Sequence, residues 1–141
     1  APVVDDFTHV RTDGKAEIVQ NTQDVNAAKD NTGLCAFSGN AWDMNDYAAQ
    51  IDAACGGGWD EARMLEVGER TYTLERQFNL RAGLTKADDT LPHRFLKEAA
   101  KSGVAKGRVT ELDKMLPEYY ELRGWTRDGV PTNETLDRVG I

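Results

Sequence analysis

The sequence feature that most constrains the fold is one long helical pattern, which lies between two glycine-containing segments that end helices. The segment EARMLEVGERTYTLERQFNLR occupies 61–81 and lies between the glycines at 56–58 and Gly83. Asp60 precedes it, and a carboxylate in that position accepts hydrogen bonds from the first backbone N–H groups of a helix. Side chains of one predicted face recur every three or four residues, at Met64, Val67, Thr71, Leu74 and Phe78. This spacing predicts a long helix with one buried face, which ends at Gly83 in a left-handed cap.

Residues that typically begin or end helices also mark the limits of helices before and after this segment. Apolar positions near helical spacing predict a helix over 15–29, and Asp43 predicts the start of another helix over 44–55. Residues 84–110 contain Pro92 and two glycines. We interpret them as a long loop with one short helix.

Two further helices are predicted towards the C-terminus. Thr110 is the predicted N-cap of a helix that continues to Arg123. Pro117 lies within that pattern and predicts a kink, or a break into two short helices, because proline lacks a backbone N–H. Thr132 is the predicted cap of a last helix that ends at Gly140.

The chain as a whole favours an all-α fold. The sequence has no alternating strand pattern, no internal repeat and no low-complexity tract. Its 141 residues, 40% of them hydrophobic, are enough for a modest core without disulfide or metal staples. We therefore expect a helical bundle-like domain with long connecting loops, formed as a single domain over residues 1–141.

Charge and hydropathy exclude two classes of partner. The net charge is −7, from 24 acidic and 17 basic residues, and the basic residues are scattered along the chain. Because nucleic-acid binding depends on clustered Lys and Arg, we expect no nucleic-acid partner. No apolar run approaches the roughly 20 residues that a membrane-spanning helix needs, so we expect no membrane association.

The termini and the cysteines bear on cellular location. The first ten residues, APVVDDFTHV, lack the basic and apolar regions of a signal peptide. Only two cysteines are present, Cys35 and Cys55, and so few are typical of a reducing compartment. We expect a cytoplasmic protein. The chain starts with Ala1 rather than Met, from which we expect an excised part of a longer protein.

The segment DNTGLC at 30–35 has the strongest potential for chemistry. It places a carboxylate, Asp30, at the end of the first predicted helix, then Gly33, then the thiol of Cys35. A glycine lets backbone groups approach a flat ligand closely, a carboxylate accepts hydrogen bonds from ring N–H groups, and a thiolate is a soft ligand for iron. Residue types alone favour a simpler interpretation: a helix end, a turn and a small buried cysteine.

Three collinear segments resemble the aldehyde:ferredoxin oxidoreductase family. DNTGLC matches its D-x-x-G-L-C motif. GERTYTLERQFNLRAGLTKADDTLPHRF at 68–95 resembles its long helix and following loop, and ELDKMLPEYYELRGWTRDGVPTNETLDRVGI at 111–141 resembles its C-terminal end. The order and approximate spacing agree with those of the family, and the resemblance covers most of residues 15–141.

This resemblance implies an enzyme that oxidises aldehydes to carboxylic acids with water as the oxygen source, and that passes the electrons to ferredoxin or another acceptor. Such enzymes hold a tungsten-bis-pterin cofactor of the molybdopterin type beside one 4Fe-4S cluster. By position, Asp30 is similar to a residue that hydrogen-bonds a pterin. Leu34 and Ala36 are similar to residues with backbone contacts to that pterin, and Cys35 is similar to the fourth cluster ligand, a metal-binding residue.

The same resemblance implies that this chain is only part of the enzyme. The other three cluster ligands belong to a C-x-x-C-x-x-x-C run that this sequence does not contain. The residues proposed for acid–base catalysis are also missing, so we expect no catalytic residue here and an inactive isolated fragment. The implied partners are the remaining domains of the enzyme, ferredoxin and the aldehyde substrate.

Other reactive side chains are interpreted as structural. Cys55 is taken as an ordinary thiol, and a zinc site of His9, His93 and the two cysteines lacks the usual paired spacing. Asp88 and Asp89 are expected to be solvated. Salt bridges on the helix surface are expected within the set Arg70, Arg76, Arg81, Glu66, Glu69 and Glu75. The alternative is partial burial of these residues against the missing domains, because arginine suits buried ion pairs. An aromatic core cluster is expected from Tyr119, Tyr120, Leu122 and Trp125.

Two other functions stay open from the sequence. The first is a stand-alone helical interaction module without cofactor, in which Asp30 and Cys35 are dispensable and the surface is closed and polar. The second is a small thiol-redox protein, which requires a reversible bond between Cys35 and Cys55. A mass change on reduction would reveal that bond.

Overall fold

Helices dominate residues 12–141, the part of the chain that the computed structural model describes. Six α-helices follow one another in this part: α1 (Lys15–Asn31), α2 (Met44–Cys55), α3 (Glu61–Arg81), α4 (His93–Lys97), α5 (Leu112–Leu122) and α6 (Asn133–Val139). Short 3₁₀-helices lie at Ala36–Asn40 and Lys86–Asp88. Among these residues the backbone makes a single β-bridge, between Trp125 and Pro131. The predicted all-α fold is confirmed. Over the same range no helix is both long and apolar enough to cross a bilayer.

Most helix boundaries follow the capping residues in the sequence. Asp43, Asp60 and Thr132 each accept a hydrogen bond from the backbone N–H three residues further along, at 3.1, 2.9 and 3.2 Å. Gly83 and Gly140 follow α3 and α6 with φ of 98° and 75°. Left-handed backbone is accessible to glycine at little steric cost, so these two positions end their helices as predicted.

The start of α5 differs from the prediction. Its N-cap is Glu111 rather than Thr110, whose N–H instead donates to the carbonyl oxygen of Phe95 at 2.8 Å. Thr110 therefore ties the loop after α4 to the start of α5. The predicted break at Pro117 is also wrong, because α5 runs through the proline. One intrahelical hydrogen bond is lost there, and burial of Tyr120 in the next turn stabilises the helix beyond it.

Close contact between α1 and α3 organises the fold. Gly68 of α3 lies at the crossing and is buried, and a Cβ atom in its place would stand 2.0 Å from the backbone oxygen of Asp24. Only a residue without a side chain allows the two backbones to approach this closely. On α1, Ala16 and Ala28 are 2% and 0% exposed. Small residues thus bring the two longest helices together.

A hydrophobic core fills the space between α1, α2 and the first half of α3. It consists of the buried residues Ala28, Met44, Tyr47, Ala48 and Met64. The second half of α3 does not follow the predicted pattern, since Leu74 and Phe78 are 54% and 71% exposed. The helix buries Thr73 and Arg76 in this half instead. The predicted buried face of α3 is therefore correct at Met64 and wrong at its C-terminal end.

The predicted aromatic cluster forms around Trp125. The ring centroids of Tyr119 and Tyr120 lie 5.8 and 6.2 Å from that of Trp125. Tyr120 and Trp125 are 2% and 7% exposed, whereas Leu122 is 42% exposed and lies outside the cluster. Core packing is thus confirmed for the three aromatic residues and wrong for Leu122.

A buried ion pair joins α5 to α1. The side chain of Arg123 is fully buried, and its Nη1 lies 2.6 Å from Oδ1 of Asp24. Its other nitrogen atoms donate to the side-chain oxygens of Gln23 at 2.9 Å and of Tyr119 at 3.1 Å. The guanidinium also lies over the ring of Tyr72, 4.8 Å from its centroid. A buried arginine is tolerated when its charge and its N–H groups are satisfied in this way.

Gly68→Ala should destabilise the chain, because the added methyl group overlaps the Asp24 carbonyl and separates α1 from α3. We expect the free energy of unfolding to fall by about 2 kcal/mol, since overpacking outweighs the roughly 1 kcal/mol gain in helix propensity. Urea denaturation measures the change. Gly39→Ala is the control, because a Cβ there comes close only to the flexible end of Lys29, at 2.9 Å, and lies at an ordinary contact distance of 3.6 Å from the Tyr47 hydroxyl. Equal denaturation midpoints for the two variants would contradict a tight crossing.

Candidate functional site

The segment 30–35 begins in the last turn of α1 and leads into the 3₁₀-helix Ala36–Asn40. The side-chain amide of Asn31 donates to the Thr71 hydroxyl of α3 at 2.8 Å, which fixes the end of α1 against its neighbour. Gly33 follows with φ of 70°. A non-glycine residue adopts this backbone conformation only rarely, so the turn requires the glycine of the motif.

Each side chain predicted to bind a cofactor reaches the surface. Asp30, Cys35 and Ala36 are exposed, and Leu34 is 38% exposed. A Cβ atom added to Gly33 would have no atom within 4 Å. The interpretation of Cys35 as a small buried residue is therefore wrong, because its thiol is accessible. The turn instead presents a thiol, a carboxylate and open backbone to an incoming group.

Hydroxyl groups hold the backbone of this segment on both sides. The hydroxyl of Thr32 donates to the last turn of α1 at 2.6 Å and accepts from the Leu34 N–H at 3.1 Å. The carbonyl oxygen of Cys35 accepts from the N–H and the hydroxyl of Ser38, at 3.0 and 2.6 Å. Among the residues from 12 onwards, no acceptor is bonded to the N–H of Cys35 or Ala36. The loop is thus fixed while two N–H groups stay available.

Sequence reasoning missed the support beneath this loop. The hydroxyl of Ser38 lies 2.6 Å from that of Tyr47, which belongs to the hydrophobic core and is 1% exposed. The only signal in the sequence was a serine three residues after Cys35, a spacing at which hydroxyl groups often bond back to the backbone. Nothing in the sequence indicated that Tyr47 of α2 would meet it.

The described part of the chain does not assemble a metal site by itself. No group of three His, Cys, Asp or Glu side chains in residues 12–141 is arranged to hold a metal ion. Cys35 and Cys55 are both free thiols rather than a disulfide. His9 of the hypothetical zinc site lies outside the described residues. An iron–sulfur cluster on Cys35 would therefore take its other ligands from elsewhere.

Several large apolar side chains of the described residues are also exposed. Phe37 and Trp42, which follow it, are 81% and 38% exposed. Leu74 and Phe78 lie four residues apart on α3, a spacing that places them on the same helix face. Exposed apolar groups in contiguous patches usually mark surfaces that meet another protein surface.

A second polar cluster connects α3 to the loops that follow α3 and α5. Arg76 donates through Nη1 and Nη2 to the two carboxylate oxygens of Asp89, at 2.8 and 2.7 Å. Its Nε donates to the carbonyl oxygen of Gly129 at 2.7 Å. The hydroxyl of Tyr120 donates to the same carboxylate. The interpretations of Arg76 as a surface residue and of Asp89 as a solvated acid are wrong, because Arg76 lies on the face of α3 that the aromatic cluster covers.

The expected surface salt bridges among residues of α3 are also not formed at Glu69 and Arg70. Both side chains contact another helix instead. Glu69 pairs with Arg138 of α6 at 2.7 Å, and the Nε of Arg70 donates to the carbonyl oxygen of Val139. Both contacts join α3 to the C-terminal helix. The charged residues of α3 thus hold separate elements together.

Hydrogen bonding sets the protonation of the Asp89 cluster. Burial alone raises the pKa of Asp89, but the hydrogen bonds from Arg76 and Tyr120 outweigh burial and hold this pKa below its usual value. Burial and the bond to Asp89 raise the pKa of Tyr120 well above its usual range. The cluster borders a cavity of about 360 Å³. Because its charges are paired with each other, we assign it a structural role.

Asp89→Asn should lower stability at neutral pH by about 2 kcal/mol, a typical contribution of hydrogen bonds to a charged group. The pKa of Asp89 is lower in the folded chain than its ordinary value of 3.8, so its contribution is complete above that pH. It is lost as the pH falls through the folded value. Urea denaturation from pH 7 to pH 3 should show the wild type and the variant converging. Asp128→Asn, an exposed change of the same charge, is the control, and a difference that does not depend on pH would contradict this role.

The sequence is similar to those of known proteins. A family model described as "Aldehyde ferredoxin oxidoreductase, domains 2 & 3" matches residues 2–141. The tungsten-containing aldehyde ferredoxin oxidoreductases of Pyrococcus furiosus and Thermococcus kodakarensis are 43% and 42% identical to the chain over 134 residues. These matches cover 94% of the chain but 22% of each relative, so the chain spans about a fifth of their length.

A solved structure is also similar. The active-site complex BamBC of benzoyl coenzyme A reductase, in complex with 1,5-dienoyl-CoA, matches with a TM-score of 0.74 and 30% sequence identity. The match covers 92% of this chain and 19% of that chain. The arrangement of helices therefore occurs as a small part of a much larger protein.

Proposed function

Because the chain belongs to the aldehyde ferredoxin oxidoreductase family, we propose that it is the cofactor-binding C-terminal part of an enzyme that oxidises aldehydes to carboxylic acids. The enzyme would contain a tungsten-bis-pterin cofactor and a 4Fe-4S cluster, and would pass electrons to ferredoxin in the cytoplasm. Residues 1–141 would act as a single domain of it. The exposed segment 30–35, with its free thiol and open backbone, is the observation that carries this proposal.

The residues of the segment fit the two groups that the family implies. An exposed carboxylate at Asp30 is able to accept hydrogen bonds from pterin N–H groups. The N–H of Ala36 is free to donate, whereas the N–H of Leu34 is already bonded to Thr32, so Leu34 would contact a pterin through its carbonyl oxygen. The exposed thiol of Cys35 suits iron, because thiolate is a soft ligand.

When bound, the tungsten-bis-pterin supplies the two-electron oxidation of the aldehyde, and the 4Fe-4S cluster supplies the path for the electrons to the acceptor. The chain itself contributes binding and orientation. Asp30 would fix the pterin ring edge, and Cys35 would complete the ligand set of the cluster. Since Cys35 lies between Leu34 and Ala36, one short loop would touch both groups and keep the electron path short. The acid–base steps at the substrate would fall to residues outside this chain.

Exposed apolar side chains support a role as part of a larger enzyme. Phe37, Leu74 and Phe78 are each more than half exposed, and the relatives are four to five times as long as the chain. We propose that the remaining domains cover these side chains. A stand-alone interaction module would instead have a polar surface around the loop and no need for Asp30 or Cys35.

The isolated 141-residue chain should bind a hydrophobic dye such as anilinonaphthalene sulfonate strongly at neutral pH, because its apolar side chains lack the cover of the remaining domains. Phe37→Ser with Phe78→Ser should reduce dye fluorescence by more than half. The exposed pair Val104→Ser with Val130→Ser provides a comparison away from the segment. Weak dye binding by the unmodified chain would favour the stand-alone module.

Cys35→Ser in the full-length protein should remove most of the bound iron and abolish aldehyde oxidation, because the cluster loses a ligand. We expect iron per protein to fall at least about tenfold, the minimum typical of damage to a metal site. Cys55→Ser is the matched control, since Cys55 is also a free and exposed thiol and should be dispensable. Elemental analysis and an aldehyde assay with an artificial electron acceptor provide the measurements. Full iron content and activity in the Cys35 variant would contradict the proposal.

Substrate class needs a separate test. The aldehyde ferredoxin oxidoreductases are 43% identical to the chain, against 30% for the benzoyl coenzyme A reductase complex, which favours aldehydes. The full-length protein should oxidise simple aldehydes and should not reduce benzoyl coenzyme A. Reduction of the benzoyl ring to a dienoyl product, without aldehyde oxidation, would assign the chain to the other branch.

A further inference from the structure

A chain of two hydroxyl groups leads from the hydrophobic core to the carbonyl oxygen of Cys35. Ser38 Oγ lies 2.6 Å from the Cys35 carbonyl oxygen and 2.6 Å from the hydroxyl oxygen of Tyr47. A carbonyl oxygen only accepts, so Ser38 donates its one hydroxyl proton to Cys35. The bond between Ser38 and Tyr47 must then use the proton of Tyr47. The order of donation is therefore Tyr47 to Ser38 to Cys35.

The core end of this chain of hydroxyl groups is buried. Tyr47 is 1% exposed and packs with Met44, Ala48 and Met64. Its helix, α2, starts at Asp43, whose carboxylate caps two backbone N–H groups at 2.9 and 3.1 Å. A hydroxyl on such a side chain occupies a fixed position and transmits that position to the exposed loop.

The hydrogen bond from Ser38 to the Cys35 carbonyl oxygen also explains how an exposed cysteine keeps one backbone conformation. The side chain of Cys35 is exposed and does not belong to the hydrophobic core. Its carbonyl oxygen, in contrast, accepts from both the N–H and the hydroxyl of Ser38. On the other side, Thr32 bonds the N–H of Leu34 at 3.1 Å. Hydroxyl groups thus restrain the Cys35–Ala36 peptide, directly after the cysteine, and the Gly33–Leu34 peptide, one residue before it.

We propose that Ser38, supported by Tyr47, is a positioning residue that holds Cys35 in place as a cluster ligand. This inference rests on the proposed function, in which Cys35 binds the 4Fe-4S cluster. Groups outside the first set of ligands orient those ligands and change how firmly a metal is held. Ser38 acts here on the backbone of the ligand and not on its sulfur, so its loss loosens the ligand without removing it.

The test uses the full-length protein with Ser38→Ala, Tyr47→Phe and Ser38→Thr. The first two variants should assemble the cluster but release iron to a chelator roughly 3- to 10-fold faster, the range that corresponds to one net hydrogen bond. The electron paramagnetic resonance spectrum of the reduced cluster should also change. Ser38→Thr keeps a hydroxyl group and should restore the wild-type release rate and spectrum.

Controls separate positioning from general damage. Ser102→Ala changes the other serine of the chain, which is exposed and distant in sequence, and should leave both readouts unchanged. Thermal unfolding of each variant shows whether iron release was measured below the unfolding transition. A structural role alone would lower the melting temperature without altering the resonance spectrum of the assembled cluster.

The outcomes distinguish this inference from the proposed function. Loss of iron in Cys35→Ser, with wild-type release and spectrum in Ser38→Ala and Tyr47→Phe, would overturn the positioning role and leave the function standing. Full iron content in Cys35→Ser would overturn the proposed function itself, and the positioning role with it. Faster release together with a changed spectrum, reversed by Ser38→Thr, is the result that we expect.

Discussion

Close approach of α1 and α3 at Gly68 is the constraint on which the other contacts depend. A side chain at this position would overlap the backbone of Asp24, so the glycine sets how near the two helices lie. With the helices at this separation, the Asp24 carboxylate meets the guanidinium of Arg123, which directly follows α5, at 2.6 Å. The amide of Asn31, at the end of α1, reaches the hydroxyl of Thr71 on α3. The crossing therefore positions both the buried Asp24–Arg123 pair and the start of the candidate site.

Local signals in the sequence predicted much of the secondary structure. Asp43, Asp60 and Thr132 begin their helices as expected because a cap depends on a few neighbouring residues. Contacts between distant residues were not predictable in this way. Asp24 and Arg123 are separated by 99 residues, and neither residue type indicates its partner. The same reason applies to Asp89, which was expected to be solvated and is paired with Arg76.

Periodicity on α3 illustrates a different difficulty. Leu74 and Phe78 continue the spacing of Met64 and were expected to be buried, yet they are exposed. Arg76 is buried on the same half of the helix because Asp89, Gly129 and the aromatic cluster satisfy it. The chain is about a fifth as long as its relatives. A pattern of apolar residues does not by itself distinguish a face that packs in the core of a chain from an exposed face that another surface covers.

The sequence predicted which residues form the candidate site, but it did not predict which residues hold the loop of that site in place. Asp30, Gly33 and Cys35 follow from the motif, and the structure exposes the thiol and leaves the backbone at Gly33 open. The contact of Ser38 with Tyr47 depends on how α2 packs on α1, which the sequence does not state.

The most direct test of the central claim, that Cys35 binds the iron–sulfur cluster, is a crystal structure of the full-length protein with anomalous diffraction data at the iron edge. We expect an anomalous peak for an iron atom that is bonded to Cys35 Sγ. Iron bound elsewhere, with a free Cys35 thiol, would contradict the proposed role of Cys35.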